Sequence, residues 1–188
     1  MTDIVDNGMV DKIGANELGS FEQATKRGFE EHQVIHGFVT VVKNEGREDE
    51  EVLCKNKHNL LTTAGRDAMH DALYVEQVTA TQLGFNIIAL SVNASGADAS
   101  HTFVAGEITG DGLERVDASI HTHIPTQNTS TVANTFTAGG IHTAVQLAGL
   151  FDIDTAPVSG TLGHENTFTP ASLQLNDTLT VTWTLTLG

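Results

Sequence analysis

The sequence predicts a mainly β protein: a β-sandwich or jelly-roll-like domain with one docked helix and an extended N-terminal arm. Three observations carry this expectation. Leu179, Val181, Trp183, Leu185 and Leu187 alternate with threonines from Thr178 to Thr186, the period of a strand with one apolar face. Several further runs are rich in β-branched residues and are separated by turn formers. Only one stretch has apolar residues at helical spacing.

Residues 1–32 are set apart. Gly8, Gly14, Gly19 and Gly28 punctuate polar stretches with isolated apolar residues, Ile4, Val10, Ile13, Leu18, Phe21 and Phe29, too few to build a core. These six are the expected contacts of an arm docking on neighbouring subunits, with a short helix over 20–32 capped by Ser20 and Gln23. Residues 33–188 form the expected β-sandwich domain. Val34–Val42 reads as a strand, Asn44–Glu51 as a charged turn and Glu51–Lys55 as its return, which makes a hairpin. Asn59 opens the helix, near 62–75, with Thr62 or Thr63 as its cap and Leu61, Ala64 or Gly65, Ala68, Met69, Ala72 and Leu73 as its stripe. His58 and His70 fall at and inside it, as polar residues of its face.

Phe85–Val92 has a continuous apolar centre and is expected to be buried on both faces. Leu113–Ile124 is expected as one long strand with Val116, Ala118 and Ile120 on one face, preceded by a hairpin turn at Asp111-Gly112. Asn128–Thr137, Ile141–Phe151 and Phe168–Leu175 follow as strands, with Asn176-Asp177 turning into the last one. Its core residues are Leu179, Val181, Trp183 and Leu185.

The charge excludes several functions. The 188 residues hold 24 acids and 9 Lys plus Arg, a net of −15. Neither nucleic acid nor an anionic membrane suits such a surface, because both demand cations. No apolar run is long enough to span a bilayer, and MTDIVDNGMVDK has acids where a signal peptide has lysines, so no secretory signal is expected. After residue 76 Arg115 is the single Lys or Arg, while 20 of the 25 threonines lie there. This is either adaptation to high salt, which screens self-repulsion, or a threonine-rich β-surface in an acidic protein. On the first reading the melting temperature rises from dilute buffer to molar KCl. A melting temperature that stays flat across that range removes it.

Chemistry-bearing patterns are sparse. His121 and His123 are two apart in a strand, so their imidazoles share a face and are the candidate metal ligands; His101, His142 or His164 would have to complete a site. Repeated around a symmetry axis, the pair could hold one metal ion; otherwise no cofactor is expected. Cys54, the single cysteine, excludes an intrachain disulfide and reads as a buried thiol. Residues 106–112 are glycine-rich but lack the Lys-Ser/Thr of a phosphate loop. Asp152 and Asp154 have no Ca²⁺-loop spacing around them. No Gly-x-Ser-x-Gly or His-Glu-x-x-His is present, and no catalytic residue is assigned.

Three stretches carry a resemblance. Asn59-Leu60-Leu61-Thr62-Thr63-Ala64-Gly65-Arg66-Asp67 leads into a helix. Ile87-Ile88-Ala89-Leu90-Ser91 is followed by Glu107 and Glu114-Arg115. Ala148-Gly149-Leu150-Phe151 precedes the closing Asn176-Asp177-Thr178-Leu179-Thr180-Val181-Thr182-Trp183-Thr184. In order and type these are similar to segments of small β-sandwich structural proteins in virions of tailed viruses, over about residues 56–187; Ser91 stands where that group has glycine, and Gln146-Leu147 where it has a glutamate. The resemblance implies a non-enzymatic virion protein, a homo-oligomer on the capsid exterior (turret or decoration) whose partners are itself and other capsid or tail proteins. With the acidic composition it points to a halophilic host. A tail component (tube, baseplate or fibre-associated) and a receptor- or glycan-binding module are the alternatives, the latter short of exposed aromatics. A cupin-like metal enzyme using His121 and His123 is a third.

Overall fold

The computed structural model describes residues 35–74, 84–123, 127–152 and 159–187. The arm residues Ile4, Val10, Ile13, Leu18, Phe21 and Phe29, and the helix expected over 20–32, lie outside the described residues.

Among the described residues, ten strands make two antiparallel sheets and one helix docks on them. In chain order they are β1 (Ile35–Lys43), β2 (Glu51–His58), β3 (Leu60–Leu61), α1 (Thr63–Tyr74), β4 (Ile87–Ser91), β5 (Val116–Asp117), β6 (Ile120–His123), β7 (Thr129–Thr137), β8 (His142–Phe151), β9 (Leu162–Leu173) and β10 (Thr178–Leu187). One sheet runs β2-β1-β10-β7-β6 and the other β3-β9-β8-β4-β5. The core between them combines Val39, Val181 and Trp183 of the first sheet with Ile88, Leu90, Leu150 and Leu173 of the second. This is a β-sandwich with one helix.

The alternation in β10 does what its period dictates. Leu179, Val181 and Trp183 are fully buried, and Leu185 is half-buried at the end of the core. The threonines face outward and pair across strands. Thr186 Oγ1 lies 3.1 Å from Thr129 Oγ1, and Thr180 Oγ1 lies 3.0 Å from Thr135 Oγ1, so hydroxyls satisfy one another across the β7–β10 pair.

The second sheet is covered on both faces. Ile88 and Leu90 of β4 enter the core, while Ile87 and Ala89 join Val104, Leu147, Phe151 and Leu162 in a separate outer cluster. The loop after β4 therefore folds back over its own sheet. It is tied down by Ser91 Oγ donating to Ala105 O (2.6 Å) and by Thr63 N donating to Ala99 O (2.8 Å). Gly149 lies beneath this loop; a Cβ there would sit 2.6 Å from Val104 Cγ2.

The structure corrects several expectations. Leu113–Ile124 is not one strand. β5 pairs with β4 in one sheet and β6 pairs with β7 in the other. The chain changes sheets at Ala118, whose N–H donates to Asn86 O at 2.9 Å. A corner breaks the alternation, so Ala118 is buried while Ile120 is about half exposed, at 49%. Asp111 and Gly112 do turn, both at positive φ, but within the long connection between β4 and β5, not between paired strands. The strand expected at Phe168–Leu175 runs from Leu162 to Leu173; its added residues Gly163, His164, Glu165 and Asn166 are buried but polar or small, so they carry no apolar signal in the sequence. Asn59 does not open the helix: β3 intervenes and Thr62 is the cap, its Oγ1 accepting from Gly65 N at 2.9 Å. His58 ends β2, edge-on to His36 and Phe38.

The helix docks on β9 through glycine. A Cβ on Gly65 would lie 2.5 Å from the Gly163 carbonyl oxygen, so backbone meets backbone. This contact fixes where α1 crosses the end of the sandwich.

A candidate ligand cavity floored by His164

Where α1 crosses that end, a cavity of about 450 Å³ remains, within the range of small-molecule sites. Its apolar walls include Ile35 from the start of β1, Met69 from α1, Phe85 from the segment before β4, and Leu185 from β10. Ser130 of β7 and His164 of β9 supply polar groups. Gly65 seats α1 on β9, and the cavity lies beside that contact, under Ala68 and Met69 of the same helix.

His164 is fully buried. Its Nδ1 accepts from Asn59 Nδ2 at 2.7 Å, and Asn59 is held by its own N–H to Gly37 O at 2.8 Å. With Nδ1 accepting, the neutral ring carries its proton on Nε2. Nε2 has no partner among the described residues. Around the ring are Phe85, centroid 6.1 Å away and edge-on, and Trp183 at 6.2 Å. Burial pushes the imidazole pKa down to about 4, so at neutral pH His164 is an uncharged donor, suited to recognition rather than to proton uptake.

The candidate metal ligands each have a partner of their own. His121 Nε2 takes Ala118 O and lies 3.2 Å from Asp117 Oδ1. His123 Nδ1 lies 3.2 Å from Ser130 Oγ and its side chain lines the cavity. No cluster of three His, Cys, Asp or Glu suited to a metal occurs among the described residues. His101 instead pairs with Glu165: its Nδ1 is 2.9 Å from Oε2, which also accepts the Asp98 N–H at 3.0 Å. Cys54 is half-buried, its thiol 3.7 Å from Val39 O, and desolvation raises its pKa. Asp152 Oδ1 accepts the Thr161 N–H at 2.6 Å, while residue 154 lies outside the described residues.

A second polar centre holds the covering loop. Arg115 Nε and Nη2 donate to Glu107 Oε1 and Oε2 at 2.8 and 2.6 Å, and Nη1 donates to Ser159 O at 2.8 Å. The guanidinium carbon lies 3.8 Å from the centre of the Phe151 ring. Both side chains of the pair are at most 2% exposed. The residues that matter most here, Asn59, His164 and the Glu107–Arg115 pair, are polar residues inside a protein. Arg115 is marked in the sequence as the only Lys or Arg in the last 112 residues.

Fold and site together define an antiparallel β-sandwich with a helix-roofed apolar cavity and a buried ion pair under a long covering loop. Comparison with protein-family models, with curated proteins and with solved structures gave no match.

Proposed function

We propose that this chain is a non-enzymatic structural protein of a tailed-virus particle. In this reading the sandwich forms a symmetric homo-oligomer on the capsid exterior, as a turret or decoration, and residues 1–32 anchor it to neighbouring virion proteins. One observation supports it above others: the sequence stretches that carry the resemblance converge in space. Ile87-Ile88-Ala89-Leu90 of β4 pairs in register with Ala148-Gly149-Leu150-Phe151 of β8, as Ile87↔Phe151 through Leu90↔Ala148. Glu107 and Arg115 form their ion pair on the Phe151 ring. The Asn59–Asp67 stretch docks on β9, which is β8's other neighbour. Motifs scattered along a chain that meet in one packed unit are what a shared fold requires.

The test is mass by light scattering in molar KCl. The intact protein is expected as one closed oligomer of fixed mass over a wide concentration range, joining larger ordered assemblies only when residues 1–32 are present. A monomer at every concentration overturns the proposal.

A further inference from the structure

We propose that the cavity beneath α1 is a binding site for a small, neutral, largely apolar molecule with one hydrogen-bond acceptor, a ketone, ester or ether, which takes the Nε2–H of His164. The inference is independent of the virion reading. Three observations carry it. The cavity, about 450 Å³, is the size of a ligand of one to two fused rings or a medium-length chain. Its walls at Ile35, Met69, Phe85 and Leu185 are apolar and match an apolar body. His164, fully buried and lining that space, leaves Nε2 without a partner among the described residues, although a buried donor ordinarily has one.

The polarity of the ligand follows from the same groups. Asn59 occupies Nδ1, which fixes Nε2 as donor and asks for an acceptor. The His164 ring is neutral at physiological pH, so it offers no charge to offset a buried carboxylate or phosphate; the exposed His123, which also lines the cavity, is turned to Ser130 Oγ at 3.2 Å, and the protein's net charge of −15 repels anions. A cation would meet a donor where it needs an acceptor. What remains is a neutral carbonyl or ether on a hydrocarbon frame.

Prodan, a neutral naphthalene ketone, is a suitable probe. Its emission reports polarity and hydrogen bonding at the carbonyl, and it accepts energy from tryptophan. Trp183 is the single tryptophan and its ring lies 6.2 Å from that of His164. Titration of the full chain in molar KCl is expected to show saturable one-to-one binding with energy transfer from Trp183. Ala68 of α1 also lines the cavity, and Ala68→Phe, which fills it, is expected to weaken binding at least tenfold. His164→Phe keeps the ring and removes the donor; it is expected to weaken binding about fivefold and to shift bound prodan emission to the blue. Ala68→Phe keeps the proposal testable if the His164 variant fails to fold. Absence of saturable transfer in the full chain, as when another segment of the chain fills the space, overturns it. So does affinity that falls as protein concentration rises, which would mean a second copy occupies the site, or affinity unchanged in Ala68→Phe. An unshifted spectrum and equal affinity in a folded His164→Phe protein overturn the assigned hydrogen bond.

Discussion

Arg115→Ala is expected to cost the fold about 3–5 kcal/mol, because it leaves the Glu107 carboxylate buried without its cation. The guanidinium makes two hydrogen bonds to Glu107, one to the Ser159 carbonyl and a face contact with Phe151. Removing it orphans all of these in a site from which water is excluded. Its partner is 2% exposed, so solvent screening does not soften the loss. The double replacement Arg115→Leu with Glu107→Leu is expected to recover much of the stability, since a buried pair exchanged for apolar groups of similar volume is often neutral. Urea denaturation in molar KCl measures both. A single-variant loss below about 1 kcal/mol, the size of a surface pair, would show that this pair does not hold the loop.

Acid is expected to destabilise the protein through His164 by about 3 kcal/mol between pH 6.5 and pH 4. The folded-state pKa is about 4, lowered from 6.5 by burial. Between those values the unfolded chain binds a proton that the folded chain refuses. Stability therefore rises with pH through this window, is fully present above about 6.5, and is lost as pH falls toward 4. Below that both states are protonated and this group adds no further loss. Asp98 and Asp177 act lower in pH. The Ser100 side chain hydrogen-bonds the first and the Gln174 backbone N–H the second, and both carboxyls are held below their usual range. The checks are the slope of unfolding free energy against pH and the fluorescence of Trp183, which a protonated neighbour quenches. If His164→Phe leaves the slope between pH 4 and 6.5 unchanged, the acid sensitivity belongs to another group.

Both predictions rest on residues that sequence patterns handle poorly. The alternation of β10 is legible because period and burial coincide: every second residue is apolar, and every apolar residue from Leu179 to Trp183 is inside. The two-sided burial of β4 is legible for a related reason, since a continuous apolar run has no face to offer water. β9 is the opposite case. Gly163, His164, Glu165 and Asn166 look like a loop, yet they pair with β3 and β8 in the middle of a sheet. Their burial is stabilised by Asn59, by His101 and by the Lys57 and His58 carbonyls that Asn166 Nδ2 approaches at 3.3 and 2.9 Å, partners about 60 to 110 residues away in the chain.

The corner at Ala118 shows the same limit at the level of topology. Val116, Ala118 and Ile120 alternate as one strand should, and local propensity has nothing to say about a change of sheet. The decision comes from the Asn86 carbonyl and from β7, which captures Ile120–His123 in register with Ala133 through Ser130. The sequence by itself determined the β class, the helix that became α1, the alternating closing strand and the acidic composition, because each follows from the identity and order of neighbouring residues. Only the tertiary structure decided that Arg115 serves Glu107 and Phe151, that Gly65 lies on Gly163, and that His164 floors an apolar cavity. Those pairings depend on which distant segments the two sheets bring within a few ångströms, and no local period encodes that.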